Sequence, residues 1–156
     1  MNKLEKLKAQ RKALDAEIER LEKSERWKPN ELQDYFTVED FVSESSWRDD
    51  DIDKERYATF NVFKIKEEAK AIDRYQRVFR QLHDFAKRFN GKFNNDEYYF
   101  IISGIDKNAV IESSNLGYSS SDVKFSSEEI AEQAKESIDK EDLLFYLNFN
   151  SSDYAG

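Results

Sequence analysis

Residues 65–90 limit most tightly what this chain can become. Ala71, Ile72, Tyr75, Val78, Phe79, Leu82, Phe85, Ala86 and Phe89 recur at helical spacing, while Lys66, Lys70, Arg74, Arg77 and Arg88 fall largely on the other side. A helix with so broad an apolar face must be covered by the rest of the chain. Asn90-Gly91 closes it in the manner of a left-handed cap.

The covering elements read as short strands. Asp34–Val38 and Phe41–Trp47 predict a hairpin before the helix, and residues 97–102 with Ala109–Ser113 predict a second one after it. Asp106-Lys107-Asn108 is the turn between the latter two. Leu116 to Ser121 is polar and irregular, and Asp122-Val123-Lys124-Phe125 has the character of a further short strand. Ser126 or Ser127 then caps a helix running to about Ile138, because a serine oxygen accepts free backbone amides and Glu128 and Glu129 suit the helix dipole. Leu143, Leu144, Tyr146 and Leu147 mark a last short helix or turn, and the tail from Asn148 reads as loose.

The two halves resemble each other. Phe63 precedes Glu67-Glu68-Ala69, and Phe125 precedes Glu128-Glu129-Ile130-Ala131, each after two β-like runs. Both describe a hairpin, an aromatic anchor, and a helix opening on paired Glu and a small Ala that admits close approach to a sheet. The expected fold is α+β: an N-terminal coiled-coil helix (residues 1–26), then two ββα-like units (27–92 and 93–156) sharing one antiparallel sheet.

Residues 2–25 supply the first of these parts. Leu4, Leu7, Leu14, Ile18 and Leu21 follow a 3-4 spacing with Arg11 in the remaining core position, about three heptads. Lys3, Lys6, Lys8, Arg11 and Lys12 lead, whereas Asp15, Glu17, Glu19 and Glu22 follow, an order that opposes the dipole of a lone helix. An antiparallel partner helix resolves it, setting Lys3 against Glu17 and Lys8 against Asp15 or Glu22. A homodimer through Leu4, Leu7, Arg11, Leu14, Ile18 and Leu21 is therefore one expectation, and a helix packed on its own domain is the other. Trp27-Lys28-Pro29, with the only proline of the chain, ends the segment.

Composition narrows the chemistry. With no Cys, one His and four Gly outside any phosphate-cradling pattern, the chain has no thiolate nucleophile, no two-His metal centre and no P-loop. Twenty Phe and Tyr residues, 12 and 8 respectively, argue for a packed domain despite 37% charged residues and a net charge of −8. No catalytic constellation, metal site or cofactor is expected. His83 has no nucleophile near it in sequence, and the stripe Lys66, Lys70, Arg74 and Arg77 reads as a solvated face neutralising nearby acids. The acidic run Asp49, Asp50, Asp51 and Asp53 fails the EF-hand pattern, which requires Gly at the sixth position and Glu at the twelfth. It reads instead as a solvated loop which, beside exposed Trp47 and Tyr57, imitates a phosphate backbone for a basic partner. No apolar run is long enough to span a membrane, and the charged opening residues do not look like a signal peptide, so the cytosol is expected.

Trp47 to Ala69, with Asp53, Arg56 and Asn61-Val62-Phe63, resembles a block found in small proteins of temperate phages and prophages of Firmicutes. Trp27-Lys28-Pro29 and Val123 to Ala131 extend the resemblance over most of the chain. Phe60 departs from it, standing where that family tends to have Gly, and the first hairpin lacks the usual Gly turn. The resemblance implies a phage accessory protein in a host bacterial cytoplasm. The leading expectation is a non-enzymatic interaction protein that inhibits a host defence protein, such as an anti-CRISPR protein on a nuclease, with no direct contact to nucleic acid. The alternatives are a sponge for a nucleotide immune signal, using Tyr98, Tyr99 and Phe100 to stack and Arg56 or Arg74 to pair phosphates, and a structural or regulatory phage dimer.

Overall fold

A computed structural model describes residues 2–94, 97–114 and 123–154. In chain order it holds α1 (Lys3–Ser24), β1 (Asp34–Val38), β2 (Val42–Ser46), α2 (Asp51–Ala58), α3 (Lys66–Phe89), β3 (Tyr99–Ser103), β4 (Ala109–Ser113), α4 (Glu128–Ser137), α5 (Lys140–Leu147) and a 3-10 turn at Ser151–Tyr154. The α+β class follows directly. Asp122 and the polar stretch Leu116 to Ser121 lie outside the described residues.

The strands do not join into the single sheet expected. Among the described residues β1 pairs with β2, and β3 with β4, as two separate antiparallel ribbons. Each ribbon is extended by the segment that follows it in its own half of the chain. Phe63 pairs backbone to backbone with Phe36 at 2.8 and 2.9 Å, and Phe125 pairs identically with Tyr99 at 2.9 and 2.8 Å. Each aromatic anchor thus bridges the outer edge of its own first strand at one residue.

The repeat read from the sequence is therefore geometrical as well. From each anchor the chain takes three residues to reach a helix, α3 at Lys66 and α4 at Glu128. Six residues past each anchor stands an alanine with no exposed surface, Ala69 and Ala131. A larger side chain at either point would hold the helix off its ribbon.

α3 is the shared spine. Val78, Leu82, Phe85 and Ala86 on its second half join Ile101, Val123, Phe125, Ala131, Ala134, Ile138, Leu143 and Tyr146 in one core. Ala69 and Ala71 on the first half are buried outside that core, and α3 also packs against β1 and β2. The basic stripe is neutralised as expected at two positions: Arg74 holds Asp142 at 2.7 Å and Arg77 holds Asp73 at 3.0 Å.

Two endings differ from expectation. Asn90 is extended (φ −60°, ψ 133°) and Gly91 does not take the left-handed conformation, so no left-handed cap closes α3. Its side chain instead accepts from Ser126 N–H at 3.0 Å and donates to the Lys124 carbonyl at 2.9 Å, tying the helix end to the segment before α4. The tail is not loose through Tyr154, because Phe149 packs on Tyr75 at 4.9 Å and on Tyr154 at 6.1 Å.

Candidate functional site

The block from Trp47 to Phe63 is built around α2, which the sequence reading took for a loop. Asp50 caps it, accepting from Asp53 N–H at 2.9 Å, and Asp51 and Asp53 favour the positive end of the helix dipole. Its far end is a Schellman motif: Asn61 N–H donates to the Arg56 carbonyl at 2.8 Å and Phe60 N–H to the Tyr57 carbonyl at 3.2 Å. Phe60 takes the left-handed position with φ 59°, which glycine fills at least cost. The departure at Phe60 noted in the sequence thus falls where glycine is favoured by geometry.

Two predicted partner-binding residues are interior. Trp47 is 2% exposed, edge-on to Tyr35 at 5.9 Å and to Tyr57 at 6.2 Å. Asp53 is 3% exposed; it accepts from the Tyr35 hydroxyl at 2.5 Å and from Arg48 N–H at 2.6 Å. Neither can present a face to another molecule while this packing holds. Asp49, Asp50 and Asp51 are exposed and Tyr57 is half-buried. The tryptophan is drawn inward by the apolar area it removes from water, and Asp53 by the donors that meet it there.

Those donors set its ionisation. Burial pushes the Asp53 carboxyl up, but the Tyr35 hydroxyl and the backbone N–H groups of Arg48, Asp50 and Asp49 outweigh it and hold the group below the ordinary aspartate value. Burial, and then the bond to Asp53, push the Tyr35 phenol above its usual value. Arg56 closes the chain of contacts, donating to the Tyr35 oxygen at 3.0 Å and pairing Glu39 at 3.0 Å. Asn61 adds a clamp from the other side: its amide accepts from Val38 N–H at 2.7 Å and donates to the Val38 carbonyl at 2.9 Å. Asp50, Asp53, Arg56 and Asn61 of this block thus each have a structural partner. The Tyr35 and Asn61 roles were missed in the sequence, where only the Asp50-x-x-Asp53 spacing signalled a capped helix.

What remains at the surface is a rim. An open cleft between β2 and the start of α2 is bordered by Asp34, Glu44, Asp50 and Asp53, with Arg48 and Arg56. Asp34, Glu44 and Asp50 are exposed, and Asp49 and Asp51 flank the cap. Lys28 approaches Asp49 at 3.9 Å and lies over Trp47 at 5.2 Å, while Arg26 stacks on Tyr57 at 3.6 Å and on Phe60 at 4.1 Å. These cations tie the segment after α1 to the block.

The other predicted interaction residues sit on α1. Leu4, Leu7, Leu14, Ile18 and Leu21 are 51 to 64% exposed, and the helix contains no buried residue. The helix therefore does not pack on its own domain. Asn2 and Glu5 form a capping box at its start.

Elsewhere, His83 is exposed and edge-on to Phe79 at 4.2 Å. Among the described residues no group of three or more His, Asp or Glu is placed to hold a metal ion, and no helix is long and apolar enough to cross a membrane. Compared with protein-family models, with curated proteins and with solved structures, the chain finds no match.

Proposed function

We propose that this chain is a phage-encoded, non-enzymatic interaction protein that inhibits a host defence factor, with a CRISPR nuclease as the target class and the bacterial cytoplasm as its setting. The observation that carries the reading is the exposed acidic rim: Asp50 with Asp34 and Glu44 around one cleft, flanked in sequence by exposed Asp49 and Asp51. The rim stands on a block whose Trp47, Tyr35 and Asp53 are buried and mutually bonded, so its carboxylates are presented by a rigid frame. Fixed, closely spaced negative charge complements a basic nucleic-acid groove and steers association with it.

The nucleotide-sponge alternative has less support. Phe100 is 1% exposed and cannot stack on a base, and Arg56 and Arg74 already hold Glu39 and Asp142. The test is expression in a host carrying a defined CRISPR system, scored by phage escape and by recovery of the nuclease on the tagged protein. Escape that disappears in Asp49→Lys/Asp51→Lys, with Asp50 kept as the cap of α2, supports the reading. Failure to raise escape and to recover the nuclease would reject it.

A further inference from the structure

α1 carries an apolar stripe that the rest of its own chain leaves bare, and its charges select what covers it. In a parallel pair of such helices, Arg11 would face Arg11 in the core. The flanking positions would then set Lys3 against Lys8 and Glu17 against Glu22. Reversing one helix removes all three conflicts. Arg11 then lies opposite Leu14, Leu4 opposite Leu21, Leu7 opposite Ile18, Lys3 opposite Glu17 and Lys8 opposite Glu22.

Within one chain Glu17 is shared with Arg20, so the Lys8–Glu22 contact is the one whose two members are both uncommitted. Arg20 holds Glu17 at 2.7 Å and Lys23 holds Glu19 at 2.7 Å, on the flank of the stripe and outside it. Arg11 approaches Asp15 at 3.9 Å near the centre of the helix. Among the described residues, Lys3, Lys8 and Glu22 take part in no ion pair.

We infer that α1 pairs with the α1 of a second copy in an antiparallel, two-fold arrangement whose axis passes between Arg11 and Leu14. A helix of 22 residues is about 33 Å long, so the two bodies stand at opposite ends of the pair. The pair thereby displays two acidic rims, one at each end. The dimer does not depend on the identity of the partner, and either can fail without the other.

Sedimentation equilibrium of the full chain tests it. The expected mass is twice 18.5 kDa, falling to the single-chain value on dilution. Lys8→Glu sets Glu against Glu22 at two symmetric places and raises the dissociation constant about tenfold; in a parallel pair it would meet Lys3 and tighten binding. Leu4→Cys mixed with Leu21→Cys forms an interchain disulfide under mild oxidation, whereas neither variant links to itself. A chain monomeric at every concentration, a tighter Lys8→Glu dimer, or self-linkage of Leu4→Cys would overturn the inference. All these positions are exposed, so the body of the protein stays folded in each variant.

Discussion

At the residue scale the most informative contact is the bond from Tyr35 to Asp53, because it turns two groups the sequence assigns to surface or strand into the anchor of a whole block. Tyr35→Phe keeps the ring and deletes the hydroxyl, leaving a buried carboxylate short of a donor; it should cost about 1–3 kcal/mol in denaturant unfolding. Asp53 also makes stability depend on acid. Its folded value lies below the unfolded one, so its contribution is complete above about pH 4 and is lost as pH falls through the lower folded value. Urea midpoints measured across the acid range should fall steeply for the native chain and less so for Asp53→Asn. Phe60 offers a cleaner backbone test. Phe60→Gly and Phe60→Ala remove the same contact with Arg26, yet only glycine accepts φ 59° without strain, and the glycine variant should be the more stable by about 1 kcal/mol.

At the element scale the two ribbons share one device, an aromatic residue that bridges the edge of the first strand and then launches a helix. Ala69 and Ala131 measure how closely helix and ribbon approach. Ala69→Leu and Ala131→Leu should each destabilise by about 1–3 kcal/mol through overpacking, read as a drop in thermal midpoint. The second anchor also brings Val123 into the core, whereas the corresponding place before the first is taken by Asn61, whose amide substitutes for a strand partner of Val38. Most of this was legible: α3, α4, β1 and β4 lie within about a residue of their expected bounds, because helical and strand periods are local signals. α2 was not legible, since its C-terminal signal should be a glycine and is a phenylalanine. The cap of α3 was misread because Asn90 spends its side chain on residues 34 and 36 positions away.

At the scale of the whole molecule, two ββα units lean on one long helix, and α1 stands outside both. Removing residues 2–25 should change the unfolding free energy of the body by no more than about 0.5 kcal/mol at low protein concentration, since no residue of α1 is buried. Circular dichroism of the truncated chain should lose helical signal while keeping the same thermal midpoint. The cooperative unit is therefore the body, where the second half of α3 shares a core with β3, α4 and α5. Charge divides along the same line: basic and acidic ends alternate on α1, and the exposed acids of the α2 start form a separate rim.

Apart from α2, the sequence by itself determined the main helices and strands and which strand pairs with which. The period of the apolar residues, the serine cap of α4, the single proline and the doubled anchor motif all act over a few residues. The tertiary structure decided which faces turn inward. Trp47 and Asp53 look like surface in the sequence because their partners are distant: Tyr35 lies 18 residues before Asp53, and the Val38–Asn61 clamp spans 23. Burial of a carboxylate depends on donors arriving from elsewhere in the chain, and no local period carries that information. For the same reason the two hairpins were not legible as separate ribbons, since the bridges from Phe63 to β1 and from Phe125 to β3 join residues 27 and 26 positions apart.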